Sequence, residues 1–117
     1  MTRDLIIGGK PITFTSNGAT NLFYKQFFHK DLLKEISTNG KDMEIATDSI
    51  PELAFIMAKQ ADKADMMRLT TAMYIEWLEL FGPFDLALMG QEIFNVYLAD
   101  SMTTEEPKKK VSGKAKG

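Results

Sequence analysis

His29 is the only histidine in the sequence, and as a general acid or base it would need a second residue to orient its ring. It stands on an amphipathic stretch beside lysine-bearing positions, which is the setting of a solvated surface residue. Glu76 with Glu79, and Asp62 with Asp65, lie at helical spacing, where a carboxylate pair can hold a hard cation or share a proton. Neither pair has further ligands at a matching spacing, and there is no glycine-interrupted Asp/Asn loop of the calcium-binding kind. Gly8-Gly9-Lys10 matches a fragment of a phosphate-binding loop, but Pro11 follows where a Ser or Thr and then a helix are required, so these residues read as a turn. Lys108, Lys109 and Lys110, with Lys114 and Lys116, are suited to phosphate contacts. The rest of the chain is acidic, however, and no aromatic residue is interleaved among the lysines for base stacking, so nucleic-acid binding is not expected. The absence of cysteine removes thiolate catalysis, disulfides and Cys-based zinc sites. No catalytic, cofactor-binding or metal-binding residue is therefore expected, and the chain does not read as an enzyme.

The elements that would position such residues fit one domain. With 117 residues, 44% of them hydrophobic and 26% charged, there is room for a single core large enough to fold without staples. No apolar run approaches the ~18 residues of a membrane span, and no export signal is evident, so a soluble protein of a reducing compartment is expected. Residues 1–102 hold nine Lys plus Arg against fourteen Asp plus Glu, a net charge of −5, whereas residues 103–117 hold five Lys against two Glu, a net of +3. The latter segment has Val111 as its one aliphatic residue larger than alanine, too little apolar area to offset the entropy of ordering it. The expected organisation is a body over 1–102 and a disordered basic tail over 103–117.

Within the body, Asp4 to Ile7 and Pro11 to Thr15 read as the arms of a small N-terminal β-hairpin, with Leu5, Ile7, Ile12 and Phe14 available to dock on helices. The period then changes from two to about 3.6. Ser16 or Asn17 can cap a first helix whose stripe runs through Ala19, Leu22, Phe23 and Phe27 and continues, past a bend near His29, to Leu32, Leu33 and Ile36. Ser49-Ile50-Pro51-Glu52 has the form of a capping box and opens a helix that buries Leu53, Ile56, Met57 and Ala61. A third helix carries Tyr74, Trp77, Leu78 and Phe81, with Thr70 or Thr71 as cap and Gly82-Pro83 as terminator. The last is expected from about Asp85 to Leu98, with Leu86, Met89, Ile93, Val96 and Tyr97 on one stripe and Gly90 as a weak point. The fold class expected is mainly α, four to five helices around one core with the small hairpin added.

Eight methionines invite a separate question, since the flexible thioether both fills cores and makes adaptable contacts with apolar partners. Met57 and Met89 fall on core stripes. Met66 and Met67 fall between helices, where periodicity is weak, and are the candidate partner-binding residues.

Three segments carry a resemblance to a known family. Ile12-Thr13-Phe14-Thr15-Ser16-Asn17-Gly18-Ala19-Thr20 leading to Tyr24, Phe28 and Asp31-Leu32-Leu33-Lys34 is the first. Leu53-Ala54-Phe55-Ile56-Met57-Ala58-Lys59-Gln60-Ala61 is the second, and Glu76-Trp77-Leu78-Glu79-Leu80-Phe81 the third. In this order and spacing, over about residues 12 to 100, the chain resembles the tail assembly chaperones of long-tailed, non-contractile (siphovirus-type) bacteriophages and prophages. One departure concerns the bend. Relatives often place glycine after the phenylalanine of helix one, and this chain has His29 after Phe28.

The resemblance implies a non-catalytic assembly factor of the infected host's cytoplasm, absent from the mature virion. Such a factor holds tail tube protein subunits soluble and delivers them to the tape measure protein as the tube polymerises. It also implies that a longer form can exist, made when ribosomes slip near the end of the short reading frame. Lys108, Lys109 and Lys110 are the candidate frameshift position, because consecutive lysine codons can form a slippery adenine-rich heptamer; a plain solubilising terminus is the competing reading of the same residues. The runner-up function is a small helical DNA-binding regulatory protein, which would need a basic face on a turn-connected helix pair.

Overall fold

The computed structural model describes residues 1–103, the last four of them by backbone alone. The expected tail therefore lies outside the described residues except at its first position, as do Lys108, Lys109 and Lys110. The chain opens with strands β1 (Thr2–Ile7) and β2 (Lys10–Thr15), paired antiparallel with Thr2 opposite Thr15 and Ile7 opposite Lys10. Gly8 and Gly9, with φ of 57° and 81°, make the two-residue turn, which demands positive φ at both positions. Alternation sends Ile7 and Phe14 fully into the core, while Leu5 and Ile12 pack at its margin.

Helix α1 (Thr20–Phe28) follows, and it is shorter than the stripe implied. It stops at His29, which takes the left-handed conformation (φ 59°, ψ 35°) and donates its N–H to the Lys25 carbonyl. Glycine is the residue usually found at that position because it has no Cβ to clash. The bend expected near His29 is thus a full helix end.

Beyond it the expectation of a continuing helix is corrected. Leu32–Glu35 form one 3₁₀ turn, started by Asp31, whose carboxylate accepts from the Leu33 N–H. The chain then makes a second antiparallel hairpin, β3 (Ile36–Asn39) and β4 (Asp42–Ile45), turning at Gly40 with φ 68°. Ile36 and Ile45 face each other across this hairpin and rest on the core, and most of its other side chains are in solvent.

Helix α2 (Ser49–Ala61) is the centre of the molecule and packs against β2, α1 and the three helices that follow. Burial is not confined to one stripe, because six consecutive residues, Leu53 to Ala58, are buried. Its start also differs from the expected capping box. Asp48 occupies the cap position without a side-chain hydrogen bond, while Ser49 and Glu52 are bonded to groups elsewhere in the fold.

Helix α3 (Thr71–Leu78) is capped by Thr70, whose hydroxyl accepts from the Met73 N–H at 3.1 Å. The single last helix is corrected to two. The short α4 (Asp85–Leu88) and the long α5 (Gly90–Thr103) are separated by Met89, at φ −101° and ψ 12°. The architecture is therefore α+β, five helices and two hairpins among the described residues, with the N-terminal hairpin as expected and a second one added.

Gly90 acquires a reason from this packing. A Cβ on it would lie 2.7 Å from Ile50 Cδ1, so any larger residue at the start of α5 requires the end of the Ile50 side chain to shift. Gly90→Ala gains helix propensity of about 1 kcal/mol but overpacks against Ile50 by about 1 to 3 kcal/mol. It is expected to destabilise by about 1 kcal/mol in the natural background, and Ile50→Val, which removes the obstructing methyl group, should relieve most of that cost. Urea denaturation of both single variants and the double variant measures the coupling, and strict additivity would show that the contact does not exist.

Candidate functional site

Two groups of residues are arranged with more care than packing alone requires. The first is polar and joins α1 to the start of α2. Tyr24, fully buried, donates its hydroxyl to Glu52 Oε1 at 2.6 Å, and Lys30 Nζ meets the same oxygen at 2.8 Å. One turn earlier, Ser49 donates to Glu35 Oε1 at 3.2 Å. Burial first, and then the hydrogen bond to Glu52, push the Tyr24 hydroxyl well above the ordinary phenol range, while the bond to Glu52 holds Lys30 more firmly protonated than usual. At neutral pH the tyrosine is therefore a neutral phenol and the lysine a cation. These bonds clamp α1 and the residues just after it to the start of α2.

The same holds for other interior polar groups. Thr20 donates to Gln60 Oε1 at 2.8 Å, and Tyr97 donates to Asn21 Oδ1 at 2.7 Å, tying α5 to α1. Among the described residues, no buried side-chain nitrogen or oxygen lacks a partner, and no group of three or more His, Asp or Glu is placed to hold a metal ion.

The second group is apolar and lies at the corner where α3 turns into α4. Ile75, Leu78 and Phe81 on one side, Leu86 and Ala87 on another, and Pro51 at the start of α2 line an open groove of about 560 Å³. Asp48 and Glu79 stand in its wall and are its only charged lining residues. Three features of the sequence build this corner. α3 ends at Leu78, ahead of the expected terminator, and Gly82 and Pro83 lie in the turn that follows; the Gly82 N–H donates to Asp85 Oδ2 at 2.7 Å; and Gly8 of the first hairpin turn packs so tightly on the Asp85 carboxylate that any Cβ there would collide with it. Ile75 in the groove lining is about half exposed, and Phe84 and Leu88, each next in sequence to a lining residue, Pro83 and Ala87, are 72% and 78% exposed. Exposed large apolar side chains at this corner are the kind of feature that protein-binding surfaces carry.

The structure distributes the residues singled out from the sequence differently. Met66 and Met67 form a 3₁₀ turn with Arg68, started by Asp65, whose carboxylate accepts from the Met67 N–H. Met66 packs against the core and Met67 is 64% exposed, so the pair contributes one side chain to the surface, and neither lines the groove. His29 is exposed at the end of α1. Glu76 with Glu79, and Asp62 with Asp65, stay on wet faces, where Asp62 meets Lys59 at 3.8 Å and Asp65 meets Arg68 at 3.4 Å in ordinary surface pairs.

Phe84 and Leu88 were not candidates in the sequence. The available signal was that they sit four residues apart and off the Leu86–Met89–Ile93 stripe, apolar residues on a face with no partner in the chain. Among the described residues no helix is long and apolar enough to cross a membrane. No family model, curated protein or solved structure gives a significant match to the chain.

Proposed function

We propose that the chain is a non-catalytic tail assembly chaperone of a siphovirus-type phage or prophage. It binds tail tube protein subunits in the host cytoplasm and passes them to the tape measure protein while the tube polymerises. The observation that carries the reading is the exposed apolar corner around Phe84 and Leu88, next to an open apolar groove, on a body whose interior polar groups are bonded to one another. Such a surface has the makings of a transient protein interface, an apolar centre with a polar rim. A second support is that the three segments behind the family resemblance form neighbouring elements: α1 with the hairpin strand before it, α2, and α3. A longer product made by slippage at Lys108, Lys109 and Lys110 would share this body and its binding surface.

The DNA-binding alternative is less well supported, because residues 69–103, which include α3, α4 and α5, contain no lysine, arginine or histidine to meet phosphates. Co-expression supplies the test. The tail tube protein of the same phage is expected to stay soluble and unpolymerised in its presence, and to aggregate or form tubes without it. Identical behaviour in the two cases rules the chaperone reading out.

A further inference from the structure

Resting on the reading of the chain as a protein-binding module, we propose that the groove between α2, α3 and α4 receives an amphipathic helical segment of the partner that carries apolar residues on one face and Lys or Arg at its flanks. The groove supplies the apolar half of the argument. Ile75, Leu78, Phe81 and Leu86 line it, the exposed Phe84 and Leu88 adjoin the lining residues Pro83 and Ala87 in the chain, and its volume of about 560 Å³ is within the range that buries several side chains. Helix-in-groove recognition places anchors at i, i+3 or i+4, and i+7 into such a slot.

Charge decides which occupant fits. Asp48 and Glu79 are the charged residues that line the groove, and no cationic side chain stands in its lining. A ligand entering this field is drawn in and oriented by basic residues. A second copy of the chain would set this acidic region against itself, which costs free energy. The chain's own residues 104–117 have the lysines, but Val111 is their one large aliphatic side chain, which is too few to fill a slot that takes anchors over two turns.

The test uses the full chain, labelled for NMR, and two synthetic helical peptides with the same leucine face, one flanked by lysine and one by glutamate. The lysine peptide is expected to move the resonances of Ile75, Leu78, Phe81 and Leu86, and to bind at least tenfold more weakly in high salt. The glutamate peptide should bind at least tenfold more weakly than the lysine peptide at low salt. Leu88→Lys and Phe84→Ser, both at exposed positions that leave the core intact, should weaken lysine-peptide binding at least fivefold while preserving the native spectrum. Equal binding of the two peptides, or shifts confined to another face, overturns the proposal. It is also overturned if the groove resonances move in the free protein when Lys108, Lys109 and Lys110 are all replaced by serine, which would make the tail the occupant. Concentration-dependent dimerisation abolished by Leu88→Lys would make a second copy the occupant, with the same consequence. The two levels of inference separate cleanly. A charge-selective groove in a chain that leaves the tube protein insoluble retains this inference and removes the tail-assembly reading; a tube protein kept soluble equally well by Leu88→Lys does the reverse.

Discussion

Phe55→Ala is expected to lower stability by about 3 to 5 kcal/mol, the range for removing a fully buried aromatic ring from a core that cannot collapse around the hole. Phe55 has no exposed surface and occupies the middle of the most central helix. Its ring centroid lies 5.6 Å from that of Phe27, 4.9 Å from Tyr74 and 5.8 Å from Trp77, so one side chain joins α1, α2 and α3. Trp77, itself buried, continues the chain of rings to Phe81 at 5.0 Å, which lines the groove. Loss of Phe55 therefore removes apolar burial and three ring contacts that are each worth about 0.5 to 1.5 kcal/mol beyond their area. For a domain of this size the result is a fall in Tm on the order of 15 °C or more. Denaturation followed by Trp77 fluorescence measures it directly. A loss below about 1 kcal/mol would mean that α1 and α3 are not held together through this ring.

Phe55 also shows where sequence patterning stopped being informative. A period of 3.6 identifies a helix with one wet face, and it marked Leu53, Ile56, Met57 and Ala61; Phe55 and Ala54 lie off that stripe and are equally buried because β2, α1 and α3 to α5 surround α2. The unbroken run Leu53 to Ala58 was the sign of such a helix. The second hairpin was hidden for the opposite reason. Leu32, Leu33 and Ile36 happen to extend the α1 stripe, whereas the hairpin itself touches the core chiefly through Ile36 and Ile45, too few positions to show alternation. Asn39-Gly40, a turn signal between short β-prone stretches, was the better guide. At Ser49 and Glu52 a local motif yielded to distant partners: their side chains reach Glu35, Tyr24 and Lys30, residues that no local reading connects to the start of α2. The N-terminal hairpin, the Thr70 cap and the core positions of Trp77, Ile93 and Val96 were legible because neighbours in sequence determine them. The groove was not, since exposure of Phe84 and Leu88 depends on where α4 breaks away from α5, at Met89, which no local pattern marks.

Above pH 10 the protein is expected to unfold in a single step that ionises its tyrosines together. All three are displaced in the same direction. Burial is the leading cause at each: Tyr24 is raised further by its bond to Glu52, Tyr74 is pushed up to about 12 with help from the Glu52 charge, and Tyr97 is raised despite its bond to Asn21. Lys30 is raised as well, through its hydrogen bond to Glu52. A raised pKa in the folded state means that the folded chain holds the proton more tightly than the unfolded chain does. The associated stability is fully present below the ordinary value near 10 and is lost as pH climbs from there through the folded value. Each such group removes up to about 1.4 kcal/mol per pH unit inside its window. Tyr24, Tyr74 and Tyr97 thus all withdraw stability in the same direction as pH climbs above 10. Absorbance of the phenolate near 295 nm and far-ultraviolet circular dichroism, recorded against pH, should change at a common midpoint above 10. The Tyr24→Phe variant separates the ionisation from the hydrogen bond: it is less stable at pH 7, having lost the bond to Glu52, yet it loses stability less steeply with pH. Three tyrosines that ionise near pH 10 while the dichroism stays native would show that their hydroxyls are open to solvent, and the clamp between α1 and α2 would have to be redrawn.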